Sequence, residues 1–252
     1  GWAAQSGIRA ADMGGVGFFG PRAVFEGMHG LFSAFGPSIQ PDFDALIEGL
    51  GSRWEVARVA FKPYACGTMT QPFIDCAVQL RKQGIDWQDI EEIICSVGEG
   101  TVHRLWEPLA GKQTPPTPYA AKFSGPYTVA CGLRFGAAGL AEFTPEAIAN
   151  QDLLSLCGKV RYVIDPDNEY PVNYTGEVVV KLKNGQEFKA FQGQLRGGVH
   201  EPMSREELQS KCQANLDFSN WQGADARVID EFANGLFKST GAFNARLLRV
   251  GR

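Results

Sequence analysis

Residues 61–80 constrain the fold most, because they join a predicted strand to a predicted helix through a short turn. The residues leading into them, 54–61, alternate apolar with polar or small side chains, which is typical of a half-buried strand. Thr70 can cap the helix that follows, and Pro72 fits its first turn. We therefore predict that Lys62 ends a strand beside a helix N-terminus, where backbone N–H groups and the helix dipole favour a carboxylate.

The rest of the pattern indicates an α+β fold with an antiparallel sheet covered by helices. Period-two alternation predicts further strands at 92–97, 160–164, 177–182 and 186–191. Asn184 and Gly185 separate the last two strands and are a strong hairpin signal. Helical spacing and end signals predict helices at 2–13, 21–35, 70–83, 120–135, 225–236, and from Ser204, which can form a capping box with Glu207.

Charge and composition exclude several classes of partner. The chain has 24 basic and 28 acidic residues, and its net charge of −4 argues against binding to nucleic acid or to an anionic membrane. No apolar run approaches the roughly 20 residues that a membrane span needs, and the first residues do not resemble a signal peptide. We therefore expect a soluble, cytoplasmic protein.

No cofactor and no metal are predicted. Residues 15–20, GVGFFG, satisfy the dinucleotide pattern GxGxxG, but an Ala-rich helical segment precedes them where a strand is required, so NAD binding is not expected. The cysteines lack CxxC pairs, which argues against a zinc site or an iron–sulfur cluster. We expect most of them to be reduced and buried, and they are Cys66, Cys76, Cys95, Cys131, Cys157 and Cys212.

A long connection with four prolines is predicted at 98–118. Loops longer than about 15 residues inside a compact domain are often functional. His103 and Arg104 are therefore candidate site residues, and the alternative is that they are ordinary exposed loop side chains.

Three groups of motifs occur in order along nearly the whole chain. They are KPY at 62–64 with CGTMT at 66–70 and PFIDCA at 72–77, then AAQSGIRAA, GFFGPRAVFEG and HGLFSAF within 1–35, and AKFS at 121–124 followed by Tyr127. Together they closely resemble the MmgE/PrpD family, which includes 2-methylcitrate dehydratases and cis-aconitate decarboxylases. Gln71 is a departure, because histidine is expected there in the family.

The resemblance implies that the chain is the C-terminal portion of a longer protein. Residues 1–50 and 199–252 would belong to one helical domain, and residues 51–198 would form an α+β domain inserted into it. In the family, a motif with a lysine and a histidine lies just upstream of the segment that matches Gly1. We therefore expect association with an N-terminal helical region and, because such proteins form dimers, a homodimer.

The resemblance also implies a site that clamps a small polycarboxylate between the two domains. Lys62 would bind a carboxylate or stabilise a developing enolate, and Tyr127 would donate or relay a proton. Further side chains would contact the substrate, namely Tyr64, Cys66, Gly67, Gln71 and His103. The alternatives are a solvated Lys62, a Tyr127 in the core with its hydroxyl satisfied, and a Cys66 that is a small buried thiol and no nucleophile.

The implied function is that of a cofactor-independent lyase that dehydrates an acid similar to 2-methylcitrate. Epimerisation or isomerisation and cis-aconitate decarboxylation stay open, although the decarboxylase branch has a histidine where this chain has Cys66 and Gly67. A truncated, non-catalytic family member is the other alternative, since Gln71 cannot shuttle a proton at neutral pH.

Overall fold

The computed structural model describes residues 1–36, 40, 42–223 and 225–236. Its contacts divide the chain into two compact units, Gly1–Trp54 and Glu55–Arg252. The second unit is α+β, with helices packed against a four-stranded sheet. The predicted α+β class is therefore confirmed, whereas the division into residues 1–50, 51–198 and 199–252 stays a prediction.

The described part of the first unit contains the helices α1 (Trp2–Gly15), α2 (Leu31–Phe35) and α3 (Phe43–Ile47). The helix predicted at 21–35 is wrong in extent, because only its last 5 residues are helical. Gly27, at φ +83, interrupts the helical backbone before them. Residues 15–20 begin at the last residue of α1, so a helix precedes this GxGxxG pattern, as predicted.

The sheet of the second unit has the strand order β2-β1-β3-β4. Its strands are β1 (Ile90–Val97), β2 (Val160–Ile164), β3 (Gly176–Leu182) and β4 (Glu187–Gln192). The predicted antiparallel sheet is corrected to a mixed sheet, because β1 and β2 are parallel, whereas β3 pairs with β1 and with β4 in antiparallel fashion. A long helical crossover joins β1 and β2, as a parallel pair requires. The hairpin between β3 and β4 is confirmed, with Gly185 at φ +85.

The strand predicted at 54–61 does not form. A 3₁₀ turn at Glu55–Arg58 replaces its centre. The apolar side chains of this stretch are exposed, including Trp54 at 67% and Val56 at 78%, so the alternation does not correspond to a buried face. Phe61 donates its N–H to the carbonyl of Gly197 at 2.9 Å, which ties the stretch to a loop and not to the sheet.

The helices of the second unit are α4 (Gln71–Lys82), α5 (Val102–Leu105), α6 (Leu109–Gln113), α7 (Pro118–Ala121), α8 (Gly125–Phe135), α9 (Pro145–Ile148), α10 (Gln151–Cys157), α11 (Arg205–Phe218) and α12 (Ala226–Leu236). The predicted helix 70–83 is confirmed as α4, which ends before Gly84 at φ +90. Helix α4 packs against α8, β3 and β4. Gly132 permits the close approach of α8, since a Cβ there would lie 2.7 Å from the Cβ of Ala77.

Two other predicted segments are corrected by the structure. The long loop predicted at 98–118 folds into α5, α6 and a 3₁₀ turn, and Lys112 stabilises it by donating to the carbonyls of Arg104 and Phe123. The helix predicted at 120–135 is two helices, because Ser124 caps α8 by accepting the N–H of Tyr127 at 3.0 Å.

Several smaller predictions are confirmed. Ser204 and Glu207 form a capping box at the start of α11. The cysteines are free thiols, and all except the half-buried Cys212 are buried in the second unit. Of the helices described, none is long and apolar enough to cross a membrane.

Candidate functional site

Residues 62–69 form one wall of an open pocket of about 600 Å³. The other walls come from α5, from the 119–123 segment, from the loop before β3 and from α11. They contribute the side chains of Arg104, Tyr119, Lys122, Phe123, Tyr170, Tyr174 and Lys211. All of these residues lie in the second unit, so the pocket is formed within one compact body.

The 62–69 wall is held by backbone hydrogen bonds to two other loops. Ala65 donates its N–H to the carbonyl of Ala138, and Gly67 donates to that of Lys122, both at 2.9 Å. A Cβ at Gly67 would lie 3.3 Å from the Lys122 carbonyl oxygen and 3.3 Å from the ring of Phe123, so glycine permits this close approach. Gly67 has φ −59, so glycine is needed here for the close packing and not for a left-handed backbone conformation.

Four cationic side chains line the pocket, and none of its described lining residues is acidic. Lys62 donates to the carbonyl of Cys66 at 3.3 Å, and the ammonium of Lys122 lies 5.6 Å from the ring centre of Phe143. Within the described part of the chain, none of the four cations forms an ion pair. The four cations are Lys62, Arg104, Lys122 and Lys211. Their charge is therefore available to an anion.

Aromatic rings form the remaining surface of the pocket. Tyr170 and Tyr174 pack edge to face with ring centres 5.7 Å apart, and Tyr119 packs against Phe123 at 5.3 Å. Their ring faces give this side of the pocket an apolar surface, and the tyrosine hydroxyls can still donate hydrogen bonds to a ligand.

Tyr64 is fixed by a buried polar network behind the pocket wall. Its hydroxyl donates to Asp75 Oδ1 at 2.7 Å, and the Arg196 guanidinium donates to the same oxygen at 2.7 Å and to the Tyr64 hydroxyl at 3.2 Å. Burial and the neighbouring Asp75 carboxylate raise the pKa of Tyr64. Arg196 also donates to Glu207 at 2.9 Å, which links the wall to α11.

Cys66 is a buried thiol at the base of the same wall. Its Sγ lies 3.1 Å from the Thr70 hydroxyl, which in turn donates to the carbonyl of Gly67 at 2.8 Å. Burial raises the pKa of Cys66 to about 11, although Thr70 and the charges of Lys62 and Lys122 lower it in part. The thiol is protonated at neutral pH, which supports the alternative of a packed thiol over a nucleophile.

Tyr127 does not line the pocket, so the expected meeting of Lys62 and Tyr127 at one open site is not found. Its side chain is fully buried in α8, and its hydroxyl donates to the backbone carbonyl of Glu142 at 2.6 Å. Burial, followed by the neighbouring Cys131, raises the pKa of this hydroxyl. This geometry matches the alternative of a core tyrosine whose hydroxyl is satisfied by the protein. The role of Tyr127 in proton transfer stays a prediction.

Gln71 and His103 also lie outside the pocket lining. Gln71 is buried in the first turn of α4, and its Nε2 has no hydrogen-bond partner among the residues that the structure describes. His103 is exposed on α5, next to Arg104, which does line the pocket. The pocket is lined by Thr68 and Met69 of the 3₁₀ turn and not by α4, so the predicted carboxylate site at the N-terminus of that helix is not part of it.

The structure thus brings together Lys62, Tyr64, Cys66 and Gly67 of the predicted site residues, and Arg104 of the candidates in the predicted loop. Sequence reasoning missed the lysines and tyrosines of the other walls as site residues. Lys122 could have been found inside the AKFS motif, whereas Tyr119, Tyr170, Tyr174 and Lys211 carry no local signal. Searched over the residues with described positions, the chain has no group of three His, Cys, Asp or Glu side chains that could hold a metal ion.

Comparisons with known proteins match the part of the chain that forms the pocket. A family model described as the MmgE/PrpD C-terminal domain matches residues 64–233. The chain is also 23% identical, over 242 residues, to a cis-aconitate decarboxylase-like protein, oryM, from Aspergillus oryzae. That alignment covers 91% of this chain and 48% of the relative. The chain therefore spans about half the length of the curated relative that it matches.

Proposed function

Because the chain belongs to the MmgE/PrpD family, we propose that the complete protein is a lyase that removes water from a small polycarboxylate similar to 2-methylcitrate. The observation that carries the proposal is the cluster of four cations around one pocket, none of which is ion-paired to another residue of the described chain. Lys62 and Arg104 are exposed and Lys122 and Lys211 are half-buried, so four like charges gather around one pocket that solvent can reach. Mutual repulsion within such a cluster is relieved when an anion binds, and a tricarboxylate supplies three negative charges.

The cations suit different parts of such a ligand. The 3.3 Å bond from Lys62 to the Cys66 carbonyl is long, so the ammonium can exchange it for a carboxylate oxygen. Arg104 offers a planar fork that can bind a carboxylate through two parallel hydrogen bonds. An ion pair in a partly exposed setting contributes on the order of 1–4 kcal/mol of Coulomb energy at 4 Å, so several together support binding at micromolar to millimolar concentration.

Dehydration breaks a C–H bond next to a carboxylate and a C–O bond on the neighbouring carbon, and it forms a C=C bond and water. The conversion is neither an oxidation nor a reduction. Negative charge develops on the carboxylate next to the broken C–H bond, and we assign its stabilisation to Lys62. A base would accept the proton of the broken C–H bond, and because the described lining of the pocket contains no carboxylate and no histidine, we assign this role to the upstream histidine that the family resemblance implies. A hydroxyl of the aromatic wall, from Tyr119, Tyr170 or Tyr174, would donate a proton to the departing hydroxide, which leaves as water, and the tyrosinate would regain a proton from solvent.

Lys62→Met tests the assignment in two measurements. Turnover of 2-methylcitrate by the complete protein, followed as alkene absorbance, should fall by about a hundredfold or more, which is the scale for one positioned charge-stabilising group. Citrate binding to the chain, followed by calorimetry, should weaken as well. Lys181→Met is the matched control, because Lys181 is ion-paired to Glu92 and Glu187 on the sheet. Equal turnover in the wild type and Lys62→Met would refute the role of Lys62.

Decarboxylation of cis-aconitate is the second candidate, and the name of the Aspergillus oryzae relative favours it. Cys66 and Gly67 argue against it, because the decarboxylase branch of the family has a histidine at this place. Release of CO₂ from cis-aconitate without hydration of the double bond would select this reaction. Absence of turnover on methylcitrate, citrate and cis-aconitate by the complete protein would favour a non-catalytic family member.

We also propose that the chain acts as a dimer and together with an upstream helical region. The first unit exposes large apolar side chains that an aqueous surface does not favour, among them Trp2, Phe19, Met28 and Phe35. A stable monomer in light scattering at micromolar concentration would contradict this proposal.

A further inference from the structure

A second pocket, of about 380 Å³, adjoins the cationic pocket. The two pockets share three lining residues, Tyr64, Ala65 and Lys211. The rest of the second pocket is formed by Pro63, by residues 136–142 and by the C-terminal half of α11, and its surface is mainly apolar. The cationic site therefore continues into an apolar compartment within the same unit.

Glu142 of the second pocket is already engaged by the protein through its carboxylate and its carbonyl. Glu142 is the acidic residue among its described lining, and its carboxylate accepts the N–H of Gly139 at 2.7 Å. The Glu142 carbonyl accepts the hydroxyl of Tyr127 at 2.6 Å. An apolar ligand group could thus enter this compartment without breaking a hydrogen bond of the loop.

Lys211 joins the two compartments. Its side chain lines both pockets, and it has no hydrogen bond or ion pair with another described residue. A lysine in this position can pack its methylene stem against apolar groups while its ammonium faces an anion. The boundary between the two pockets therefore suits a ligand that changes from charged to apolar along its length.

We propose that the two pockets form one divided site, and that the substrate is a polycarboxylate carrying an unbranched alkyl chain. The carboxylates bind among Lys62, Arg104, Lys122 and Lys211, and the chain lies between the 136–142 loop and α11. This inference rests on the proposed function and specifies its substrate class. A single methyl group, about the size of one water at roughly 30 Å³, would fill less than a tenth of the apolar compartment.

Calorimetry with citrate and with citrates bearing a methyl, butyl or hexyl group tests the inference on the chain. Burial of one methylene contributes about 0.8 kcal/mol, which is about a fourfold change in Kd. The three methylenes between methyl and butyl should therefore tighten binding about 60-fold, with an increasingly negative heat-capacity change. Equal affinity for all four acids would overturn the inference and leave the proposed anion site intact. Absence of citrate binding together with absence of alkylcitrate binding would overturn both.

Substitution within the apolar compartment provides an independent check. Ala214→Phe fills the compartment from the exposed face of α11, so the dependence on chain length should disappear while citrate affinity stays the same. Ser210→Phe is the matched control, because it adds the same side chain to the same helix outside both pockets. Ala141→Phe, on the opposite wall, repeats the test if Ala214→Phe does not fold. Persistence of the full chain-length dependence in both filled variants would also overturn the inference.

Discussion

Arg196→Met should destabilise the second unit more than most single substitutions, because it removes the partner of a buried carboxylate. The Asp75 side chain is only 6% exposed, and its Oδ1 accepts from both Tyr64 and Arg196 at 2.7 Å. Its Oδ2 is buried without a partner among the described residues. Methionine has a long apolar side chain but removes the guanidinium, whose Cζ lies 5.4 Å from the centre of the Tyr64 ring, and so leaves Asp75 without its counter-charge.

The expected loss is about 3–5 kcal/mol, the range for a buried ion pair that loses one member. Arg196 is 22% exposed on its side chain, so solvent screens the pair only in part. Such a loss is a large fraction of the roughly 5–15 kcal/mol that stabilises a typical domain. For a unit of this size it lowers the thermal midpoint by roughly 6–20 °C.

Thermal unfolding followed by circular dichroism measures the effect, with Glu207→Gln as the control. Glu207 forms the other ion pair of Arg196 but is 46% exposed, so its loss should cost less than about 1 kcal/mol. Glutamine also keeps the capping box of α11. The double variant Asp75→Asn with Arg196→Met should recover part of the loss, because no buried charge stays unpaired. The argument fails if Arg196→Met costs no more than Glu207→Gln.

Single contacts support three more predictions. Iodoacetamide should leave Cys66 of the folded chain unmodified at neutral pH, because burial raises the pKa of this thiol to about 11. Labelling, measured by mass spectrometry, should increase only as the pH approaches that value. Rapid labelling at neutral pH would contradict this prediction. Tyr127→Phe loses the bond to the Glu142 carbonyl and should cost about 1–3 kcal/mol in urea unfolding. Turnover of the folded variant then decides between its two roles, because a hundredfold loss would support proton transfer. Gly125→Ala would place a Cβ 2.6 Å from the Trp106 ring and should cost about 1–3 kcal/mol, whereas an unchanged thermal midpoint would show that the ring can move.

The parts of the fold that were predicted correctly are those in which the local pattern matches the burial. In β3 the side chains alternate between buried and half-buried along the whole strand, so period-two reading finds it. Gly185 specifies the hairpin by its positive φ, and Asn184 by accepting the N–H of Gln186 at 2.9 Å. Ser204 and Glu207 likewise specify a helix start through local side-chain to backbone hydrogen bonds. The parallel pairing of β1 and β2 was missed, because strand direction depends on the crossover and not on the strand residues.

The site was predicted only in part, because a local motif reveals neighbouring residues but not residues that are distant in sequence. Lys62, Tyr64, Cys66 and Gly67 are consecutive or nearly so, and one motif therefore reveals all of them. Tyr170, Tyr174 and Lys211 reach the pocket from a loop and a helix that are distant in sequence. Tyr127 was assigned to the site because it follows a motif, but α8 turns it toward the core.

No strand forms at 54–61, so hydrogen bonds to neighbouring loops position Lys62 at the pocket. Phe61, Ala65 and Gly67 donate their N–H groups to three different loops. The backbone bends at residues 63–66, so Lys62 enters a bent segment and does not end a strand. The carbonyls that it meets belong to loops and not to a sheet edge. The position of Lys62 is therefore set by the loops at 122 and 138, and those loops also carry the cationic wall and the apolar compartment.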